Sequence, residues 1–355
     1  MVEAINDLTN KIRDIYSSLG DEVSRIIFEA RFLYFLTGDK SHMRRMLGLI
    51  DHSGDKNHNT IIDLIENKSL HKNKIIVYGT GESSGGVVDM LVESEISISF
   101  LCDSDKSKHG SYLFGLQIIS PEELVKTHID ATIVISTGHF SEEIFQYLLS
   151  MGFCSENIYV PSNFNEIYFG ESFLRAGENE IYIDAGTYNG DTIKNFIKFC
   201  DNRYKKIYAF EPDSDNYEVL TNRLKEKSIN NFHLIKKGTW NKNDTLLFDS
   251  VGQGSSVNES GKLKIDVTTI DEVARNDKVT FIKMDIEGAE LYSLQGAKNT
   301  IQKNKPRLAI SIYHKPEDIL TIPLYIQSLV PEYRFYLRHY SSGLYFYDTV
   351  LYAVL

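Results

Sequence analysis

The sequence predicts an α/β protein: N-terminal helices followed by two doubly wound units, the second larger than the first. Three observations predict it. Apolar residues recur every three or four positions up to about residue 70, and in short β-type runs after that. Two of those runs, residues 75–78 (IIVY) and 181–183 (IYI), each lead into a glycine-containing turn and a helix start. Strand and helix patterns then alternate along the chain, as in parallel sheets. At 355 residues, two domains are a better expectation than one core.

Composition narrows the function classes. Apolar content of 42% with 25% charged residues is globular. The formal charge of −11 disfavours broad contact with nucleic-acid backbone or anionic lipid. Cys102, Cys154 and Cys200 are odd in number and widely spaced, which suits buried free thiols in a reducing compartment and no zinc site. The N-terminus lacks the basic-then-apolar layout of a signal peptide, and no run approaches the roughly 18 apolar residues of a membrane span. These features together predict a soluble, cytoplasmic protein.

Residues 1–70 read as a helical segment. Ile5, Leu8, Ile12, Ile15 and Leu19 share one helical face; Val23, Ile26, Ile27, Ala30, Leu33 and Leu36 line a second helix that stops at Thr37-Gly38. Such stripes suit packing within a domain, with a homodimer seam as the alternative. Residues 51–60 (DHSGDKNHNT) are a polar loop whose His52 and His58 are assigned no role.

Residues 71–162 read as a small Rossmann-like domain. Strands at 75–78, 96–101, 131–136 and 157–160 alternate with helices starting at Val87 and spanning 141–151. The turn Gly79-Thr80-Gly81-Glu82-Ser83-Ser84-Gly85 is one residue wider than the dinucleotide fingerprint, and Asp103 sits where a ribose-binding acid would. A tight turn with no bound dinucleotide reads as well as a functional one. The shape GTGESSGG, DSDKSKHG, GLQIISPEEL resembles nucleotide-binding domains of sugar-modifying bacterial proteins, implying a sugar nucleotide or related ligand.

Residues 161–180 lack a clear period and contain Pro161, Gly170 and Gly177, so the domain connection is placed there and a second domain spans 163–355. Its first strand ends in Asp184-Ala185-Gly186-Thr187, and Gly190-Asp191-Thr192 opens a helix. The glycines permit close backbone approach to a ligand, and a helix start offers free N–H groups. About twenty residues past Gly190, the strand at 206–210 ends in Glu211-Pro212, which places an acid to accept from two ribose hydroxyls. A third strand leads to Gly238-Thr239-Trp240, the lone tryptophan walling an adenine pocket or plugging the core. Runs at 246–248 and 263–268 suggest a hairpin, with residues 250–261 a polar lid. The strand at 280–284 ends in Asp285, followed by Glu287, Gly288 and Glu290; Leu291, Leu294, Ala297 and Ile301 stripe the next helix. A fifth strand, 308–312, carries Tyr313 and His314 at its tip, and an antiparallel hairpin around Ser341-Ser342-Gly343 closes the chain. Five parallel strands and a terminal hairpin outline a class I methyltransferase rather than a dehydrogenase.

The ordered blocks IDAGTYNGDT, AFEPD, KKGTWN, DVTTIDE, FIKMDIEGAE and LAISIYH, spanning 180–355, resemble the FkbM-type S-adenosylmethionine-dependent methyltransferases. That resemblance implies O-methyl transfer, often to sugar hydroxyls of glycans, polysaccharides or secondary metabolites. It carries the S-adenosylmethionine role to Asp184, Gly186, Gly190 and Glu211, and the acidic strand-four motif to Asp285, Glu287 and Glu290. The N-terminal domain lies outside it and is expected to set substrate or partner choice. A sugar hydroxyl needs a general base; His314, Asp285 and Glu287 at adjoining strand tips are the candidates, His314 for its ordinary pKa near 6.5. Asp285 and Glu287 alone offer no third ligand, so a divalent metal is not favoured. Lys283 reads as a strand residue reaching the site edge or solvent, and His339 as a weaker candidate. The rival readings are an NAD-dependent or sugar-nucleotide-binding protein working through the N-terminal sheet, and a non-catalytic binding module.

Overall fold

The structure, a computed structural model, describes residues 2–47, 49, 59–67, 73–81, 84–137, 140–160, 167–188, 190–227, 229–249, 256–257, 263–340 and 348–355. The chain divides into two compact units. One joins Met1–Asp39 to Asn165–Arg338 and Thr349–Leu355; the other comprises Lys40–Phe164 and His339–Asp348. The N-terminal helices therefore do not form one segment to residue 70: the first two belong to the C-terminal domain. The polar loop with His52 and His58, most of the expected lid and the Ser341-Ser342-Gly343 turn lie outside the described residues. Among those described, no helix is long and apolar enough to cross a membrane.

The smaller unit contains α3 (Ser41–Leu47), β1 (Asn59–Thr60), α4 (Ile61–Glu66), β2 (Ile75–Tyr78), α5 (Ser84–Glu93), β3 (Ile98–Cys102), β4 (Tyr112–Leu113), β5 (Leu116–Ile119), α6 (Pro121–Thr127), β6 (Thr132–Ile135), α7 (Ser141–Ser150) and β7 (Ile158–Val160). Its sheet runs β1-β7-β6-β2-β3-β5-β4, parallel except for the β4–β5 hairpin. The residues of β2 and β6 are all buried, which is why their apolar runs show no alternation. Gly79 (φ +106°) ends β2 where a Cβ would lie 2.7 Å from Ser136 Oγ at the β6 tip. The hairpin and α6, which starts at the Ser120 cap and Pro121, were not expected as elements from sequence.

The larger unit begins with α1 (Val2–Ser18) and α2 (Glu22–Thr37), capped by Asp21 at its start and Gly38 at its end. Next come β8 (Glu180–Ala185), α8 (Asp191–Phe199), β9 (Tyr204–Phe210), α9 (Ser214–Lys227) and β10 (Phe232–Ile235). β11 (Gly238–Thr239), β12 (Asp244–Asp249), β13 (Ser256–Val257) and β14 (Leu263–Thr268) form a separate small sheet containing the expected hairpin. The chain continues through α10 (Ile270–Val273), β15 (Phe281–Met284), α11 (Glu290–Gln295), α12 (Lys298–Asn304), β16 (Arg307–Ser311), α13 (Asp318–Leu329), β17 (Arg334–His339) and β18 (Thr349–Val354). The main sheet is ordered β10-β9-β8-β15-β16-β18-β17, with β18 antiparallel to β16. The order reverses between β8 and β15, so their carboxyl ends flank the switch point where such sheets bind ligands.

Three expectations change here. Residues 161–180 are not simply a connection: Tyr168, Phe169 and Leu174 are buried, and Phe169 packs on Tyr182, Phe196, Phe199 and Phe281. The helix after Glu290 is two short helices, α11 ending at Gly296. α1 and α2 pack on α13, burying Ile15, Leu19, Ile27, Phe28 and Ala30 within the unit; their stripe is used there, while Leu8, Leu33 and Leu36 stay exposed.

Candidate active site

The β8 turn is built from below by a buried ion pair. Asp184 is fully buried; its Oδ1 lies 3.2 Å from Lys283 Nζ on β15, and Thr192 of α8 donates its hydroxyl to Oδ2. Lys283 Nζ also donates to Gly186 O at 2.6 Å. Lys283 is only 2% exposed, so of the two expectations for it, the site edge or solvent, solvent fails while its ammonium meets the β8 turn. On a parallel strand covered on both faces, even a lysine is enclosed, and it is tolerated because its partners are in place. Asp184, Thr187 and Thr192 act on one another beneath the turn: Thr187 Oγ1 donates to Asp184 O. Gly186 (φ +82°) is pressed against the end of β15, where a Cβ would fall 1.8 Å from Asp285 O. Ala185 O accepts from Asp285 N at 3.0 Å, so the two strand tips are joined directly.

Glu211, 5% exposed, lies at the tip of β9. Its Oε2 accepts from Tyr188 N at 2.9 Å and its Oε1 from Asp213 N at 3.0 Å, linking the β8 turn to the β9 tip. Burial is the main cause that pushes this carboxyl up to about 7, against the lowering effect of those N–H donors. Each oxygen keeps a lone pair for a further donor. Gly190 caps α8 without a side-chain hydrogen bond, while Asp191 begins the helix. Gly238 stands beside Pro212, a Cβ there lying 4.0 Å from the proline Cβ. Thr239 is buried, and its Oγ1 accepts from Ser293 Oγ at 2.8 Å. Trp240 is half-buried and stacks on Tyr292 with centroids 4.2 Å apart, so it does not plug the core.

Beyond β15 and β16 a second constellation forms. His314 Nδ1 lies 2.9 Å from Glu290 Oε1; its Nε2 lies 3.4 Å from Glu287 Oε2 and 3.5 Å from Asp285 Oδ1. Asp285 accepts from Tyr168 Oη at 2.9 Å and from Tyr313 Oη at 3.1 Å. Burial would disfavour the charged ring, but Glu290, Glu287 and Asp285 outweigh it and raise the His314 pKa well above its ordinary value. The ordinary pKa near 6.5 that recommended His314 as a base is therefore shifted upward in this arrangement. Asp285 behaves oppositely: burial would raise it, yet Lys283, His314 and the Tyr168 hydroxyl bring it down. Burial raises Glu287, against the lowering effect of His314. Glu287 stands at φ +54°, a left-handed conformation that turns the chain between β15 and α11. His339 is buried at the end of β17.

The N-terminal glycine turn is arranged differently. Asp103 Oδ2 accepts from Thr80 N, Thr80 Oγ1 and Lys108 Nζ, and Oδ1 from Asp105 N. Its own loops already engage the acid that a ribose would need.

Each of the two turns falls in or beside a separate stretch that resembles known proteins. Residues 184–341, which span the β8 turn, the β9 tip and the His314 constellation, match the Methyltransferase FkbM domain model. The match covers somewhat under half of the chain. Residues 71–159 match a second model, C2185-like, N-terminal. The crystal structure of Methyltransferase FkbM from Methylobacillus flagellatus KT is similar over 91% of this chain and 100% of that one, at 20% identity and TM-score 0.51, a likeness of fold. An rRNA methylase from Streptococcus thermophilus (18% identity, 50% of this chain and 87% of that chain, TM-score 0.34) is also similar. So is Aeropyrum pernix fibrillarin with S-adenosyl-L-methionine (11%, 52% and 71%, TM-score 0.34). No curated protein matches the chain.

Within the matched residues, the structure brings Asp184, Gly186, Glu211 and Asp285 to adjoining strand tips, and His314, Glu287 and Glu290 to one cluster. Sequence reading missed Tyr168, which lay in an apparent connection, and Ser311, 3.2 Å from the Tyr168 hydroxyl. It also missed Asp318, buried at the start of α13 with burial raising its carboxyl to about 7. A charged residue in the middle of a buried strand or helix start would have been the signal.

Proposed function

We propose that the protein is an S-adenosylmethionine-dependent O-methyltransferase whose acceptor is a hydroxyl of a sugar, a glycan or polysaccharide precursor, or a secondary metabolite. The observation that carries this reading is the direct junction of the Gly186 turn with Asp285, which sets a donor site beside the acid-and-imidazole cluster. The residues fit the donor: Glu211 keeps acceptor capacity for a ribose diol, and the start of α8 lacks a side-chain cap. Gly186, Gly190 and Glu211, with Pro212 and Gly238 beside it, hold it; Asp184, Thr187 and Thr192 position the turn from beneath. When bound, S-adenosylmethionine supplies an electrophilic methyl group on a sulfonium.

The remaining work belongs to the chain's own groups. Alignment of the acceptor oxygen with the methyl carbon supplies most of the rate, since proximity contributes about 7–11 kcal/mol. Methyl transfer from that sulfonium would require the acceptor hydroxyl to give up its proton, and a carboxylate of this chain would receive it. Glu287, on the partly exposed side of the cluster, takes that proton. Asp285, fixed by Tyr168 and Tyr313, orients the acceptor. His314 holds the carboxylates together.

A methyl-transfer assay with radiolabelled donor against sugars, nucleotide sugars and oligosaccharides tests the reading. Label transferred to an acceptor hydroxyl, and lost in Glu287→Gln, is the expected result; transfer only to nitrogen or carbon acceptors would sink it.

A further inference from the structure

Three carboxylates converge on one imidazole at the ends of β15 and β16: Asp285, Glu287 and Glu290 on His314. The neighbouring ammonium groups are engaged by backbone, Lys283 by Gly186 O and Lys315 by Gly288 O. Glu290 is only 1% exposed, and its Oε1 accepts from Ile286 N, yet its Oε2 is buried with no hydrogen-bond partner. Asp318, 3% exposed, likewise leaves Oδ2 unpaired. A buried carboxylate oxygen without a donor costs free energy unless something positive meets it.

One ligand atom each from Asp285, Glu290 and His314 lie within 4.8 Å of one another. The His314–Glu290 separation of 2.9 Å matches two neighbouring ligands on an octahedral ion, which stand about 3 Å apart when each bond is about 2.1 Å. None of the three carboxylate contacts around the ring is directed as a hydrogen bond from its nitrogens. Outer support is present: Tyr168 and Tyr313 hold Asp285, and Ile286 N holds Glu290. We propose that Asp285, Glu290 and His314 form a divalent-cation site, the imidazole-plus-two-carboxylate set of a first-row transition ion such as Mn²⁺. The sequence offered two acids without a third ligand; folding supplies it by bringing Glu290 from α11 and His314 from beyond β16. Set beside the donor turn, the ion would orient two adjacent oxygens of an acceptor, leaving Glu287 free to take the proton.

The test uses the full chain, stripped with chelator and titrated with Mn²⁺ alone, so its outcome is separate from that of methyl transfer. Loss of the free-ion electron paramagnetic resonance signal should show one saturable site per chain. The bound ion should carry a ¹⁴N imidazole coupling in its spin-echo spectrum. Glu290→Gln and His314→Gln should each weaken binding at least tenfold, the scale of ligand and outer-shell losses, while Asp103→Asn leaves it unchanged. Failure of saturable binding, a bound ion without nitrogen coupling, or affinity retained in both folded variants would overturn the proposal. If a variant does not fold, the wild-type stoichiometry and nitrogen coupling decide it.

Discussion

Replacing Lys283 by Met probes the support beneath the donor turn. Lys283 and Asp184 are 2% and 0% exposed and 3.2 Å apart. Removing the ammonium leaves a buried carboxylate with only the Thr192 hydroxyl, and strips Gly186 O of its donor. Breaking a buried pair from one side costs roughly 3–5 kcal/mol. With a urea dependence of about 2–3 kcal/mol per molar, the midpoint should fall by roughly 1–2 M. Trp240 is the only tryptophan and lies in the same unit as the pair, so its fluorescence reports this unit's unfolding. Adding Asp184→Asn to Lys283→Met should recover part of the loss, because no unpaired charge then remains. A midpoint unchanged within error, or a double variant no better than the single one, would refute the reasoning.

Three further outcomes follow from named contacts. Glu211, raised to about 7 by burial, is mostly protonated at pH 6 and mostly ionised at pH 8, and only the ionised form accepts from both ribose hydroxyls. S-adenosylmethionine affinity measured by calorimetry should therefore rise about tenfold from pH 6 to pH 8, and Glu211→Gln should flatten that rise. For stability the sign is opposite: an acid whose folded pKa is raised holds a proton that the unfolded chain has lost, so stability falls as pH climbs from about 4.5 through 7. Gly186→Ala would place a Cβ 1.8 Å from Asp285 O at φ +82°, so thermal unfolding should show a loss above about 3 kcal/mol, and donor binding should vanish. Tyr168→Phe removes the hydroxyl shared by Asp285 and Ser311; chemical denaturation should show a loss of about 1–2 kcal/mol.

Much of this was legible because the signals are local. The apolar runs ending in Asp184, Glu211, Asp285 and Tyr313 mark strand tips, and strand tips are where such sheets place ligand groups. The terminal hairpin, the cap of α2 and the two glycine turns also follow from neighbouring residues alone. What stayed hidden is made by tertiary packing. Tyr168 sits in a stretch without a period, and its part depends on β15 and β16, more than a hundred residues away. Lys283 looks exposed by residue type, yet its strand is covered on both faces. The β4–β5 hairpin is too short for a periodic signal. The assignment of α1 and α2 to the C-terminal unit depends on α13, which no local pattern names. The cluster's three acids could be read off the sequence, but the position of His314 between them could not.

The methyl donor is proposed to occupy the second glycine turn and not the first. Calorimetric titration of the full chain with S-adenosylhomocysteine, repeated on Glu211→Ala and Asp103→Ala, tests it most directly. One equivalent bound by the wild type, lost in Glu211→Ala and kept in Asp103→Ala, is the predicted result. Undiminished affinity in Glu211→Ala, or binding of NAD in place of the homocysteine nucleoside, would contradict it.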